Sequence, residues 1–214
     1  MRPGTYWRPA QGEPTVTLLL RHGQTPMSVQ RRYAGRSDVP LTDVGVQQAA
    51  AAAKRLASAR LDVIVTSPLL RAMRTAREVA AVTGAAVVTD DGFRETDFGA
   101  WEGLTFTEVR ERWPSEVTTW LADPDAAPPG GESFAEVSTR VTAALYRVLA
   151  GRDGQTVLIV SHVTPIKTLV AAALLAPPAA LYRMHLDVAA LCEIDWYADG
   201  PAVLRSFNDT GHLS

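Results

Sequence analysis

The 214-residue chain is expected to fold as an α/β protein, a three-layer α/β/α sandwich around a mostly parallel sheet with an antiparallel edge. Three observations predict this. The short apolar runs at 16–20, 62–66 and 156–160 have strand length and little alternation, as strands buried on both faces do. The stretches between them carry helical spacing and cap signals. Near the end, runs at 189–197 and 202–207 flank Ala198-Asp199-Gly200-Pro201 and read as a hairpin.

Taken in order, residues 1–14 are rich in proline and glycine and read as a linker or flexible tail, leaving 15–214 as one domain. After the first strand, 21–41 is irregular and polar. Thr42 then caps a helix to about Ser58, with Val46, Ala49, Ala50, Ala53 and Leu56 on one face. Ser67-Pro68 follows the second strand as a cap plus a first-turn proline, opening a helix to about Val82. A short strand near 86–89 leads into 93–103, which has neither period and reads as an ordered loop. One or two short helices are expected over 105–121, a proline- and glycine-rich loop over 123–131 and an amphipathic helix over 132–149. Residues 104–135 are expected to form a cap insertion. After the strand at 156–160, a helix starts near Thr164-Pro165.

With 47% hydrophobic and 21% charged residues, the chain supports a sizeable core. A net charge of −2 gives no basic field, so no nucleic-acid partner is expected. No segment resembles a membrane span or a signal peptide, and the single Cys192 allows no internal disulfide. The chain therefore reads as soluble, cytoplasmic and without a membrane partner.

Two of its four histidines, His22 and His162, stand directly behind apolar strand runs, and Arg21 precedes the first. Parallel sheets bind ligands beyond the carboxyl ends of their strands, so these residues converge on one edge. Arg71 falls in the first turn of a helix, where the dipole disfavours a cation unless an anion docks there. Together they describe an anion site. Glu95 lies in a loop beside Asp97 and Glu102, and nothing in the composition singles it out from them. Metal is not expected, because no His-x-His, His-Glu-x-x-His or cysteine pair occurs. Gly-x-Ser-x-Gly and phosphate-loop motifs are also absent. His185 reads as structural or surface, His212 as tail and Cys192 as a small core residue. Trp101, Phe106, Trp113 and Trp120 read as packing for the insertion, with one or two of them candidates for a pocket entrance.

The motifs Leu20-Arg21-His22-Gly23-Gln24-Thr25, Gly35-Arg36-Ser37-Asp38, Ser67-Pro68-Leu69-Leu70-Arg71-Ala72, Arg94-Glu95 and Val160-Ser161-His162 occur in an order that resembles the histidine phosphatase superfamily. This is the phosphoglycerate-mutase-like fold, and the resemblance covers about residues 16–175. Within it, the chain is similar to the α-ribazole phosphatase-like branch, and to the phosphatase half of actinobacterial proteins that join a ribonuclease H domain to an acid phosphatase. The resemblance allows for an N-terminal ribonuclease H domain in a longer parent, although no ribonuclease H carboxylate set is present in this chain.

The resemblance implies a phosphomonoester hydrolase of acid or α-ribazole phosphatase type. It needs neither metal nor cofactor, favours acid pH and takes a small phosphomonoester as substrate. His22 is then the nucleophile and becomes phosphorylated. Arg21, Arg71 and a protonated His162 hold the phosphoryl oxygens, and Glu95 is the proton donor. Thr25, Ser28 and Val163 join the substrate contacts. Ser28 stands where many members carry an asparagine, and Val163-Thr164 replaces a common Gly-Gly. The alternatives are a mutase-type phosphoryl transfer and a non-catalytic phosphoester-binding module.

Overall fold

The computed structural model describes residues 10–214; most of the expected 1–14 linker lies outside these described residues. Six strands form one sheet: β1 (Thr15–Arg21), β2 (Val63–Thr66), β3 (Val87–Thr89), β4 (Thr156–Ser161), β5 (Leu191–Trp196) and β6 (Ala202–Asp209). Their order is β3-β2-β4-β1-β5-β6. The first four are mutually parallel, while β5 and β6 run antiparallel and form the edge hairpin. The expected fold class is the observed one.

Side chains alternate across this sheet, and each face builds its own core. Leu19, Val157 and Ile159 pack against α6 (Phe134–Leu149) and α7 (Val163–Ala173) through Val137, Val141, Ile166 and Leu169. Leu20, Leu158 and Val160 face α2 (Asp43–Leu56) and α3 (Leu70–Thr83) through Ala52, Leu56, Ala72 and Val79. A third cluster joins Phe98, Trp101, Val109, Val117, Trp120 and Phe134, and holds α4 (Phe106–Arg112) and α5 (Pro114–Ala122) above the sheet edge.

Several boundaries differ from the sequence reading for local reasons. Thr42 does cap α2, its hydroxyl accepting from Gly45 N, but the buried face carries Ala52 and leaves Ala50 exposed. α3 begins at Leu70, not at Ser67-Pro68. The Ser67 hydroxyl accepts from Leu69 N within the connecting turn and is also bonded to His162. The irregular 21–41 segment contains one short helix, α1 (Pro26–Val29), closed by a reciprocal capping box between Thr25 and Ser28. His212 is no free tail: its Nε2 bonds the Ala189 carbonyl at 3.0 Å. His185 sits on the surface against Asp187, and Cys192 is buried.

Parallel register positions the site. Arg21 pairs with Ser161 and Thr66 with Val160, so His22, Ser67 and His162 leave the sheet side by side. The turn after His22 is pressed against the start of α2, where a Cβ on Gly23 would collide with Gly45 and one on Gly45 with Gln24. Glycine is required at both positions by this backbone contact.

Candidate active site

His22 and His162 are both buried, with ring centroids 5.0 Å apart. Nδ1 of His22 lies 2.7 Å from the Gly23 carbonyl, so it must carry the proton, and Nε2 keeps its lone pair. Arg71 Nε donates toward that nitrogen at 3.3 Å. Burial, then the charges of Arg71 and Arg21, hold the His22 pKa well below its ordinary value. The ring is therefore neutral, with Nε2 available as a nucleophile.

Arg71 is almost completely enclosed. Nη1 donates to the Ser37 carbonyl and Nη2 to those of Ala34 and Gly35. Glu102 reaches the same loop from its other side, accepting from Gly35 N and Ser37 N. Arg21 donates from Nη1 to the Leu186 carbonyl at 2.6 Å, while its buried Nε has no partner among the described residues. Burial lowers its pKa to about 10, which leaves it charged at any physiological pH.

His162 Nε2 meets the Ser67 hydroxyl at 2.8 Å, and its Nδ1 is buried without a partner. The Ser67 hydroxyl hydrogen has no other acceptor among the described residues, so donating it to Nε2 satisfies it and puts the imidazole proton on Nδ1. Burial, reinforced by Arg71, His22 and the two other nearby arginines, depresses the His162 pKa far below 6.5. These surroundings favour a neutral His162 ring, in contrast to the expected protonated one, and it offers a hydrogen-bond donor at Nδ1.

Glu95 is buried and accepts from Thr96 N, Val163 N and Thr164 N at the start of α7. The amide of Val163, expected to contact substrate, is thus engaged by Glu95. Thr25 and Ser28 line the same cavity; the Thr25 hydroxyl accepts from Ser28 N, and Ser28 Oγ donates to the Thr25 carbonyl at 2.8 Å. The Glu95 loop is fixed from behind by Arg140 of α6. Its guanidinium donates to the carbonyls of Gly92, Arg94 and Glu95 and pairs with Glu132.

A cavity of about 300 Å³ opens over this group. His22, Arg21, Thr25, Ser28, Glu95 and Val163 line it, whereas Arg71 and His162 stand behind the lining. Its outer wall holds residues that the sequence reading did not assign: Arg32, Tyr33, Lys167, Leu181 and Tyr182. Of the four insertion aromatics, Trp120 reaches the cavity; Trp101 is wholly buried and Phe106 exposed. Among the described residues, no group of three or more His, Cys, Asp or Glu could hold a metal ion, and no helix is long and apolar enough to cross a membrane.

A histidine flanked by the guanidinium groups of Arg71 and Arg21, with the Glu95 carboxyl lining the same cavity, has the chemistry of an anion site at the edge of an α/β sheet. The model of the "Histidine phosphatase superfamily (branch 1)" matches residues 17–210, and the chain belongs to that family. It is 51% identical over 208 residues to the "Bifunctional protein Rv2228c" of Mycobacterium tuberculosis, a match covering 97% of this chain and 57% of that protein. The chain thus spans little more than half the length of that relative. It is 33% identical to phosphoserine phosphatase 1 of Hydrogenobacter thermophilus, covering 92% of this chain and 93% of the relative. The solved structure of Bacillus stearothermophilus YhfR superposes with a TM-score of 0.87 at 33% identity, covering 94% of this chain and all of the other.

Proposed function

We propose that the protein is a phosphomonoester hydrolase that works through a phosphohistidine on His22 without a metal ion. The observation that carries this reading is the tautomer of His22: the Gly23 carbonyl takes Nδ1–H, so Nε2 keeps a lone pair, which accepts from Arg71 Nε. In the first step Nε2 attacks phosphorus in line, the P–O ester bond breaks, and Glu95 gives its proton to the departing alkoxide. In the second, water attacks the phosphohistidine, the P–N bond breaks, and Glu95 takes a proton from that water. Arg71, Arg21 and the Nδ1–H of His162 meet the three equatorial oxygens, supplying fixed positive charge and donors where the transition state spreads negative charge.

The cap formed by α4 and α5 encloses the leaving group, and the substrate is a small organic phosphomonoester. An acid-leaning optimum follows, because Glu95 must be protonated while His22 stays neutral. Acid phosphatase and α-ribazole phosphatase activities both fit this chemistry. A soluble, cytoplasmic setting and a longer parent protein with a second activity are part of the same reading.

Trapping settles it. Denaturing the protein rapidly during turnover of a labelled phosphoester should yield an acid-labile, alkali-stable phosphoprotein, absent in His22→Ala. Undiminished phosphate release by His22→Ala would refute the nucleophile. Isomerised product in place of free phosphate would point to a mutase.

A further inference from the structure

The outer wall of the cavity is built for more than a phosphoryl group. Trp120, Phe134 and Tyr182 meet there, with Trp120 4.9 Å from Phe134 and 6.0 Å from Tyr182, and Tyr33 turned edge-on to Trp120 at 6.4 Å. Trp120 and Phe134 pack into the core of the cap and also line the cavity. Trp101, which only packs, is fully buried and away from the cavity, whereas Tyr182 is 46% exposed and lines it. Trp120 is buried to 6% exposure while lining the cavity; its Nε1–H finds no acceptor among the described residues, and neither does that of the fully buried Trp101.

Lys167 adds a cation at a defined height. The chain has only two lysines, and the other, Lys54, lies on the exposed face of α2. Lys167 is half-buried in the cavity wall and donates to the Leu181 carbonyl at 3.2 Å. It forms no salt bridge among the described residues, in contrast to Arg32 on the same wall, which is paired with Glu108. Val163, Thr164 and Lys167 share one face of α7, and Glu95 is held on the first two amides. The Lys167 backbone therefore lies about one helical turn along α7 from the amides that hold the proposed proton donor.

We infer that the preferred substrate is a phosphomonoester whose alcohol carries a flat apolar ring and, beyond the ring, an anionic group received by Lys167. The inference rests on the phosphatase reading for its phosphoryl end. The ring stacks among Trp120, Phe134 and Tyr182, and the anion pairs with Lys167, a cation on the outer wall of the cavity with no salt-bridge carboxylate among the described residues.

Binding and turnover are measured separately with three matched pairs: ethyl, 2-phenylethyl and 2-(4-carboxyphenyl)ethyl phosphonates by calorimetry, and the corresponding phosphate esters by phosphate release. The alcohols are all primary, so ring effects are not confused with leaving-group acidity. The phenylethyl phosphonate should bind about tenfold tighter than the ethyl one, and the carboxylate should add roughly another fivefold. Tyr182→Ala should shrink the first factor, and Lys167→Met should erase the second. Equal affinity for the ethyl and phenylethyl compounds would overturn the ring site. A carboxylate advantage surviving in Lys167→Met would overturn the anion site. If the phosphonates rank as expected and no ester is hydrolysed, the ligand class stands and the hydrolase reading fails.

Discussion

Arg71 Nε donates to Nε2 of His22 across 3.3 Å, so the proposed nucleophile and the guanidinium beside it are in contact before any phosphate arrives. The approaching phosphoryl group must replace that bond by one to its own oxygen, and Arg71 changes partner without moving far.

Replacing Arg71 should consequently damage both chemistry and fold. Arg71→Ala leaves the carbonyls of Ala34, Gly35 and Ser37 without their donor. A loss of about 2–4 kcal/mol of stability is expected. With one transition-state cation removed, kcat/KM should fall roughly 100- to 1000-fold. Urea unfolding and steady-state kinetics read the two effects apart; Arg71→Lys restores charge but not the three-carbonyl fork.

Ser67 should act through the His162 tautomer. Its hydroxyl is bonded to Nε2, which leaves Nδ1 as the donor toward phosphate. Ser67→Ala frees the ring to place its proton on either nitrogen, and kcat should drop about tenfold with a changed pH profile. An unaltered pH profile with reduced stability would mark Ser67 as structural only.

Stability should decline with acid in a defined window. Both rings have folded pKa values well below the unfolded value, through burial first and neighbouring arginines second. Above about pH 6.5 both states carry neutral rings and the histidines contribute no slope. Below it the unfolded chain binds two protons that the folded chain refuses. Stability then falls by up to about 2.7 kcal/mol per pH unit, until the folded rings themselves titrate. Denaturant melts at pH 7.5, 6.0 and 5.0 test this, and His162→Gln should remove about half of the slope.

Arg140 should position Glu95 without touching substrate. Arg140→Met removes the bonds to the carbonyls of Gly92, Arg94 and Glu95 and leaves Glu132 with only Arg36 and the Asp97 amide. The expected signature is a fall in kcat of roughly 10- to 100-fold with little change in KM. Matching loss in KM would instead mean that the whole cavity has loosened.

Gly45→Ala should be among the most damaging small substitutions. The added methyl group meets the Gln24 backbone, which cannot retreat without moving His22. A loss of about 3 kcal/mol or an insoluble product is expected, against near neutrality for Gln47→Ala on the exposed face of the same helix.

Much of this arrangement could be read from residue order. β1 and β4 are apolar on both faces because helices cover both, and Thr42 announces α2. Arg71 stood out as a cation in a first helical turn. Other residues gave no signal. Ser67 resembles a helix cap, and only the fold shows its hydroxyl committed to His162. Arg140 sits on the polar side of an amphipathic helix, where arginines are ordinary, and its three carbonyl partners come from a loop without periodicity. Lys167, Tyr182 and Trp120 come from three distant segments, and no local pattern links them.

The loop shared by Arg71 and Glu102 has one more consequence. Glu102 holds the amides of Gly35 and Ser37, while Arg71 holds the carbonyls of those same residues. Each end of the loop is thus polarised by an opposite charge. The buried guanidinium is balanced through these backbone dipoles, with Glu95 and Glu102 acting on it as nearby charges and no carboxylate in salt-bridge contact with it among the described residues. An incoming dianion therefore finds Arg71 compensated but not bonded to any carboxylate.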